Sequence, residues 1–347
     1  MNGRREDGFV LVTVIWFVAL IALAATIISG WVSESVDRAS ALKDRIAGER
    51  ALISATNQVA YLLTTSYFTS QGLVHVDAAD AGVAVHPMGF TPSKHAHIMM
   101  LDGRPYRFGT GIVELQDTKG LYNLASINPY TFEHLLEYFG ISSQEGRGLL
   151  DKLLDYESVN TTLKRLNGAN VNDYVRAGQP PPRSARLITP WEPYRVLGWA
   201  GYPALWRGPV AFADLTTVTP DTQGLNPNTA PAALLRSLPG LDQNAVDKLL
   251  KYREVQPITT LAEMDDLTGL IVPIGDSTIS PFPANSLRAT FAFPQDPLAR
   301  VVGFTLLPVG KTPFRIDYVV DEPQEPPLRS ALATAKLPQF PDFAPAP

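Results

Sequence analysis

The sequence predicts an α+β protein: one long N-terminal helix packed on an antiparallel sheet, with a large helical insertion dividing the strands. Three observations predict it. An apolar N-terminal run passes into an amphipathic stretch without a break, and the first proline of the chain is Pro87. Strand-like patterning appears at 97–123 and again only near the end, from about 286 to 320. Between those stretches, Asp-Lys-Leu-Leu-x-Tyr occurs twice in helical surroundings, at 151–156 and 247–252.

The first element is the helix. Phe9 to Ile28 reads FVLVTVIWFVALIALAATII, uncharged, with Thr13 and Thr26 as its only polar residues. About twenty residues at about 1.5 Å each span the hydrocarbon of a bilayer, and only a helix satisfies the backbone internally there. Arg4 and Arg5 precede the run, while Glu34, Asp37 and Arg38 follow it. The positive-inside bias therefore places residues 1–8 in the cytoplasm, with a membrane span at 9–30, although Glu6 and Asp7 dilute the signal. A cleaved secretory signal is a competing reading. It usually has a shorter apolar core and a small-x-small site, which Ser29-Gly30-Trp31 matches poorly. An ordinary signal anchor also fits the hydropathy. Beyond the span, Val32, Val36, Ala39, Leu42, Ile46, Ile53, Val59 and Leu63 recur near helical spacing, with charged residues on the other face. The helix is expected to continue through 31–68.

The sheet comes next, from 69–123 and 280–322. His97–Leu101 and Tyr106–Leu115 read as strands, with Asp102-Gly103 as the tight turn between them. Ser286–Phe293, Ala299–Leu307 and Pro313–Val320 read as the returning strands. The Pro-rich segment 323–347 has few strong apolar residues and is expected to be disordered.

The insertion reads as two related helical units, 117–210 and 211–275. Asp117-Thr-Lys-Gly-Leu-Tyr-Asn123 is echoed by Asp221-Thr-Gln-Gly-Leu-Asn226. Asn128-Pro129 and Asn226-Pro227 suit an N-cap followed by the first helical residue, with Asn228-Thr229 as an alternative cap in the second copy. Helices follow at about Pro129–Phe139 and Pro231–Leu238, ended by Gly140 and by Pro239-Gly240. Each unit closes with a helix carrying the shared string. The second unit resembles a helix-hairpin-helix module, but its hairpin has one glycine and carries Asp242, which repels a phosphate.

Composition excludes several chemistries. A net charge of −5 argues against a broad nucleic-acid interface. The absence of cysteine excludes thiol chemistry and cysteine metal sites. His95-x-His97 shares a strand face and is a candidate metal pair without evident partners. No nucleophile, P-loop or zinc-protease pattern occurs, so no enzyme is expected.

The front edge of the helix carries a resemblance. A short charged leader ends in Gly8, and Phe9 opens the apolar run directly. This arrangement resembles the class III signals of type IV pilins and pseudopilins, which implies cleavage by a prepilin peptidase between Gly8 and Phe9 and N-methylation of Phe9. Asp7 departs from the usual basic residue before the glycine. Thr13 departs from the usual glutamate at the fifth mature position, a residue implied to pair with a neighbouring subunit's N-terminus. Taken with the split sheet, the two SAM-like units, Asn226-Pro-Asn-Thr-Ala230 and Pro239-Gly240, the order of parts over residues 1–320 resembles the K-type minor pseudopilin of type II secretion. The resemblance implies a non-enzymatic subunit of the bacterial inner membrane with a periplasmic domain, capping the pseudopilus tip and promoting export across the outer membrane. It implies the I- and J-type minor pseudopilins, the major pseudopilin, the inner-membrane assembly platform and secreted cargo as partners. It also implies an acidic calcium cluster after the first unit. Here Asp155, Glu157 and Asn160 remain as possible weak calcium ligands, with a solvated helix end as the competing reading. The alternative function is a membrane-anchored competence-type receptor that binds DNA through its hairpin units.

Overall fold

The structure, a computed structural model, describes residues 7–70, 72–75, 97–160, 163–220, 224–269, 280–294, 296–307, 309, 311–324, 326–334 and 336–341. The chain divides into two units, Met1–Ser54 and Ala55–Pro347. Helix α1, Asp7–Thr65, begins in the first and continues into the second. In the first unit its apolar side chains from Leu11 to Ile28 face outward, and Trp16 is 73% exposed. Farther along, an Arg38–Glu34 pair spans one turn at 2.5 Å.

In the second unit the end of α1 is buried through Ala55, Val59, Ala60, Leu62 and Leu63. Val59 and Leu63 belong to the predicted apolar stripe, whereas Ile46 and Ile53 are exposed. Strands β1 (Tyr67–Thr69), β2 (Gly72–His75) and β3 (His97–Met99) form a small antiparallel sheet. Strands β4 (Asp102–Phe108) and β5 (Gly111–Asp117) open the main sheet. The turn between them is at Gly109-Thr110, not at Asp102-Gly103, which lies inside β4 where the register shifts against β5. Gly103 adopts φ +79 there, so its freedom serves a bulge instead of a hairpin.

The insertion follows β5. It comprises β6 (Tyr122–Asn123), α2 (Pro129–Tyr138), α3 (Ser143–Glu157), α4 (Val171–Arg176), α5 (Phe212–Leu215), β7 (Thr216–Thr217), α6 (Ala232–Ser237), α7 (Gln243–Arg253) and α8 (Leu261–Thr268). The short β6 and β7 pair in parallel. Asn128 caps α2 as its sequence predicts, accepting from the Tyr130 and Thr131 amides at 3.0 and 3.3 Å. In the second copy neither Asn226 nor Asn228 caps α6, whose N-cap is Pro231. The insertion has its own core, built on Phe132, Trp199 and Phe212, with ring centroids 5.3 to 6.4 Å apart.

The chain then returns to the sheet through β8 (Ser286–Ala292), β9 (Leu298–Leu306) and β10 (Phe314–Pro323). The strand order is β10-β9-β8-β5-β4, antiparallel throughout. The two sequence-distant β stretches therefore join at β5 and β8, and the insertion leaves and re-enters at adjacent strands. One sheet face is apolar and fully buried through Val113, Leu115, Leu287, Ala289, Phe291, Val302 and Phe304. The valine, leucine and phenylalanine side chains among them each contribute about 1.5–3 kcal/mol by leaving water.

Part of the segment expected to be disordered is ordered. Helix α9, Pro326–Ala333, places Leu328 against Ile112, Ala292 and Ala299 on the other sheet face. Beyond it, Arg107 of β4 donates its amide to Pro338 at 2.8 Å and accepts from Phe340 at 2.9 Å. Phe340 meets Phe108 edge-on at 5.2 Å. The tail thus occupies the free edge of β4, which would otherwise present unpaired backbone groups. Leu328 and Phe340 are the tail's buried anchors, Ala331, Leu332 and Leu337 pack beside them, and the sheet edge supplies backbone bonds.

Candidate functional site: the exposed helix and the joint of the insertion

Two regions carry the functional argument: the outward-facing part of α1 and the joint where the insertion meets the sheet. The first is a helix long and apolar enough to cross a membrane, by length and composition. Its polar groups suit that medium. The Thr26 hydroxyl donates to the Ala22 carbonyl at 2.8 Å, within the helix itself. Gly8 and Phe9 lie in the first turns of α1. Thr13 follows one turn later, without a carboxylate, where every charge would cost several kcal/mol in lipid.

The joint is built on Asp117, at the end of β5. Its carboxylate is fully buried and accepts four hydrogen bonds. The amides of Lys119 and Ala284 reach Oδ1 at 3.0 and 2.8 Å, and Asn226 Nδ2 and Thr229 Oγ1 reach Oδ2 at 2.8 Å each. Burial pushes this carboxyl up from its ordinary range, and the four donors pull it back. Gly120 is required beside it, since a Cβ there would stand 2.6 Å from the Thr229 carbonyl oxygen. Around this centre Gln116 Nε2 donates to Thr229 at 2.9 Å, and Asn228 exchanges bonds with Ile258 at 2.7 and 2.9 Å. Arg253 Nη1, from the end of α7, donates to Ala230 and Pro227. The string Asn226-Pro-Asn-Thr-Ala230 is therefore a buried clasp between insertion and sheet. Asp117 does cap the short turn Thr118–Gly120, as its place before Thr-Lys-Gly suggests, but its burial is not visible in the sequence. The missed signal was the Asn-x-Asn-Thr string itself, four polar or small residues that have no cap to serve at α6.

A second polar contact lies beside the joint, on the sheet face between insertion and tail. Arg288 of β8 donates to the Ala213 and Thr216 carbonyls at 2.7 Å each and lies 5.8 Å from the Trp191 ring centre. Trp191 Nε1 donates to Glu322 at 3.0 Å. Glu114 of β5 faces this group, and burial, then Asp214 and Glu322, push its carboxyl up to about 8.

The three oxygen donors considered for calcium each have a partner of their own within the chain. Asp155 accepts from the Arg165 amide at 2.9 Å and from Arg165 Nη1 at 2.6 Å. Its Oδ2 would stand 1.8 Å from a Cβ on Gly168, so only glycine permits that approach. Glu157 accepts from the Leu187 amide at 2.9 Å, and Asn160 from the Leu163 amide at 3.3 Å. A guanidinium already neutralises Asp155, and the other two are each engaged by a backbone amide. Among the described residues no three acidic or histidine side chains are grouped as metal ligands. His95 lies outside the described residues.

The hairpin of the second unit buries its two leucines and leaves Gly240 and Asp242 exposed. Leu238 and Leu241 are buried, Gly240 takes φ +87, and Asp242 Oδ1 caps α7 by accepting from Ala245 at 2.8 Å. A carboxylate stands where a phosphate-binding hairpin offers only amides.

No protein-family model matches the chain, and no curated protein sequence matches it significantly. Among solved structures it is similar to a chain of the GspK-GspI-GspJ complex of the type 2 secretion system from enterotoxigenic Escherichia coli. The identity is 13%, the match covers 81% of this chain and 98% of that chain, and the TM-score is 0.45.

Proposed function

We propose that this chain is a minor pseudopilin of type II secretion, of the K type, held in the inner membrane by α1 with its second unit in the periplasm. The observation that carries the reading is the single uninterrupted helix Asp7–Thr65, outward-facing and apolar at its start and buried at its end. A mere anchor needs no buried continuation, and a core helix needs no lipid-length exposed stretch. The Gly8-Phe9 edge, the split sheet and the clasp at 226–230 support the same reading. On this reading prepilin peptidase cleaves after Gly8, Phe9 is N-methylated, and the subunit joins the I- and J-type minor pseudopilins above the major pseudopilin. Thr13 supports a place at the tip, because a subunit with no neighbour above it needs no carboxylate to receive that neighbour's amine. The role is structural: it promotes assembly on the inner-membrane platform and export of cargo. Asp242, a carboxylate at the exposed hairpin, disfavours the DNA-receptor alternative.

Mass spectrometry of the mature protein tests this. The expected N-terminus is N-methylated Phe9, lost in cells lacking prepilin peptidase. An intact Met1, or cleavage near Trp31, would sink the reading.

A further inference from the structure

We propose that the contact of the Trp191 segment with the sheet is a proton-dependent latch, closed while Glu114 is neutral and opened when Glu114 ionises. Strand register places Glu114 between two neighbouring rows of one sheet face, the row that runs through Arg288 to Tyr318 and the row that ends in Glu322. The insertion brings Trp191 and Asp214 to the same place. Three carboxylates, Glu114, Asp214 and Glu322, thus gather around the Arg288 guanidinium. Both Nη atoms of Arg288 are taken by the Ala213 and Thr216 carbonyls, and its buried Nε has no partner. Other elements add no free cation to the group. Arg107 of β4 shares the face, but its guanidinium donates to the Leu332 and Thr334 carbonyls. Arg329 of α9 is exposed. Burial pushes the Tyr318 hydroxyl up from its ordinary 10, so it stays neutral.

Asp117 shows how this chain accommodates a buried carboxylate, with four donors. Glu114, three residues earlier on the same strand, accepts no hydrogen bond and has no ion pair among the described residues. A carboxyl enclosed without donors holds its proton, because the charged form has lost water and gained nothing in its place. Burial, then Asp214, then Glu322 push it up to about 8. When it ionises, three negative charges face one guanidinium that cannot turn toward them. The weaker attachment yields. Arg288 holds α5 through two carbonyls, and β7 behind α5 pairs with β6. Trp191 has one hydrogen bond, to Glu322, and otherwise rests its ring against Arg288 and, at 6.1 Å, against Tyr318. The closed contact keeps a proton that the open one, with Glu114 near its ordinary 4.5, gives up. Raising the pH therefore favours opening, by up to about tenfold per pH unit between about 4.5 and 8, and the effect levels off above 8.

Native-state hydrogen exchange of the full chain in detergent tests the latch. The readout is the protection factor of the Glu192, Tyr194 and Val196 amides, which bond within the turn around Trp191, followed from about pH 5.5 to 9. Protection there is expected to fall by up to about tenfold per pH unit and to level off near pH 8. The amides of β8 and β9 should stay better protected at every pH. Glu114→Gln keeps the shape and cannot ionise, so its protection at the three amides should not vary with pH. Asp214→Asn removes the first of the two charges that raise Glu114, so the fall should persist and level off at a lower pH. A flat profile in the wild type, or a wild-type profile in either variant, overturns the proposal. Equal protection at the three amides and in β8 and β9 would mean that the unit opens only as a whole, and overturns it as well.

Discussion

Asp117 accepts two hydrogen bonds at each oxygen. Asp117→Asn keeps the shape but turns an amide toward two of the donors. Each buried donor left unmatched costs about 1–3 kcal/mol, so the substitution should destabilise the chain by about 2 kcal/mol or more, read as a lower urea midpoint. Glu114 makes the opposite kind of prediction. Its folded carboxyl, at about 8, lies well above the ordinary glutamate value of 4.5. Between those two pH values the folded chain holds a proton that the unfolded chain has lost. Stability contributed by Glu114 is therefore complete below about pH 4.5 and declines as pH rises toward 8, at up to about 1.4 kcal/mol per pH unit. Glu114→Gln should match the wild type near pH 5 and exceed it near pH 8. Identical differences at both pH values would refute the assignment of the shift to this residue.

At the scale of elements, periodicity carried most of the fold. The apolar run, the Asn128 cap and the repeated Asp-Lys-Leu-Leu-x-Tyr helices were legible because each depends on neighbours three or four residues away. The misread elements depend on distant partners. Asp102-Gly103 has the composition of a two-residue turn, but pairing of Pro105 with Glu114 draws it into β4 and leaves the turn to Gly109-Thr110. The clasp was invisible for the same reason: Asp117 and Asn226 meet across the whole first helical unit. The order in the tail was missed because α9 is stable only against the sheet. Leu328 is its principal buried contact, so Leu328→Ala should cost about 2–3 kcal/mol. It should also release residues 326–341 to limited proteolysis while β8 and β9 stay protected. Simultaneous loss of both would show that the tail is no separate element.

Across the second unit as a whole, the insertion leaves the sheet at β5 and returns at β8, which pair directly from Ile112–Ala292 to Asp117–Leu287. Its two ends are therefore held one strand apart, and Asp117, Gln116 and Arg288 each bond across the junction. The insertion nevertheless has a core of its own around Trp199, so independent unfolding is a real alternative. The number of buried bonds at the junction favours a single cooperative transition. The tryptophans allow a direct test, since Trp191, Trp199 and Trp206 all lie in the insertion and only Trp16 and Trp31 lie elsewhere. With Trp16, Trp31 and the sheet-contacting Trp191 replaced by phenylalanine, the fluorescence of Trp199 and Trp206 reports the insertion alone. A dye on Val319→Cys, at an exposed position of β10, reports the sheet. The two urea transitions should coincide, and Asp117→Asn should shift both together. If the tryptophan transition precedes the dye transition in the wild type, the insertion is an autonomous domain and the clasp only tethers it. Should they separate only in Asp117→Asn, that one carboxylate is what couples the two cores.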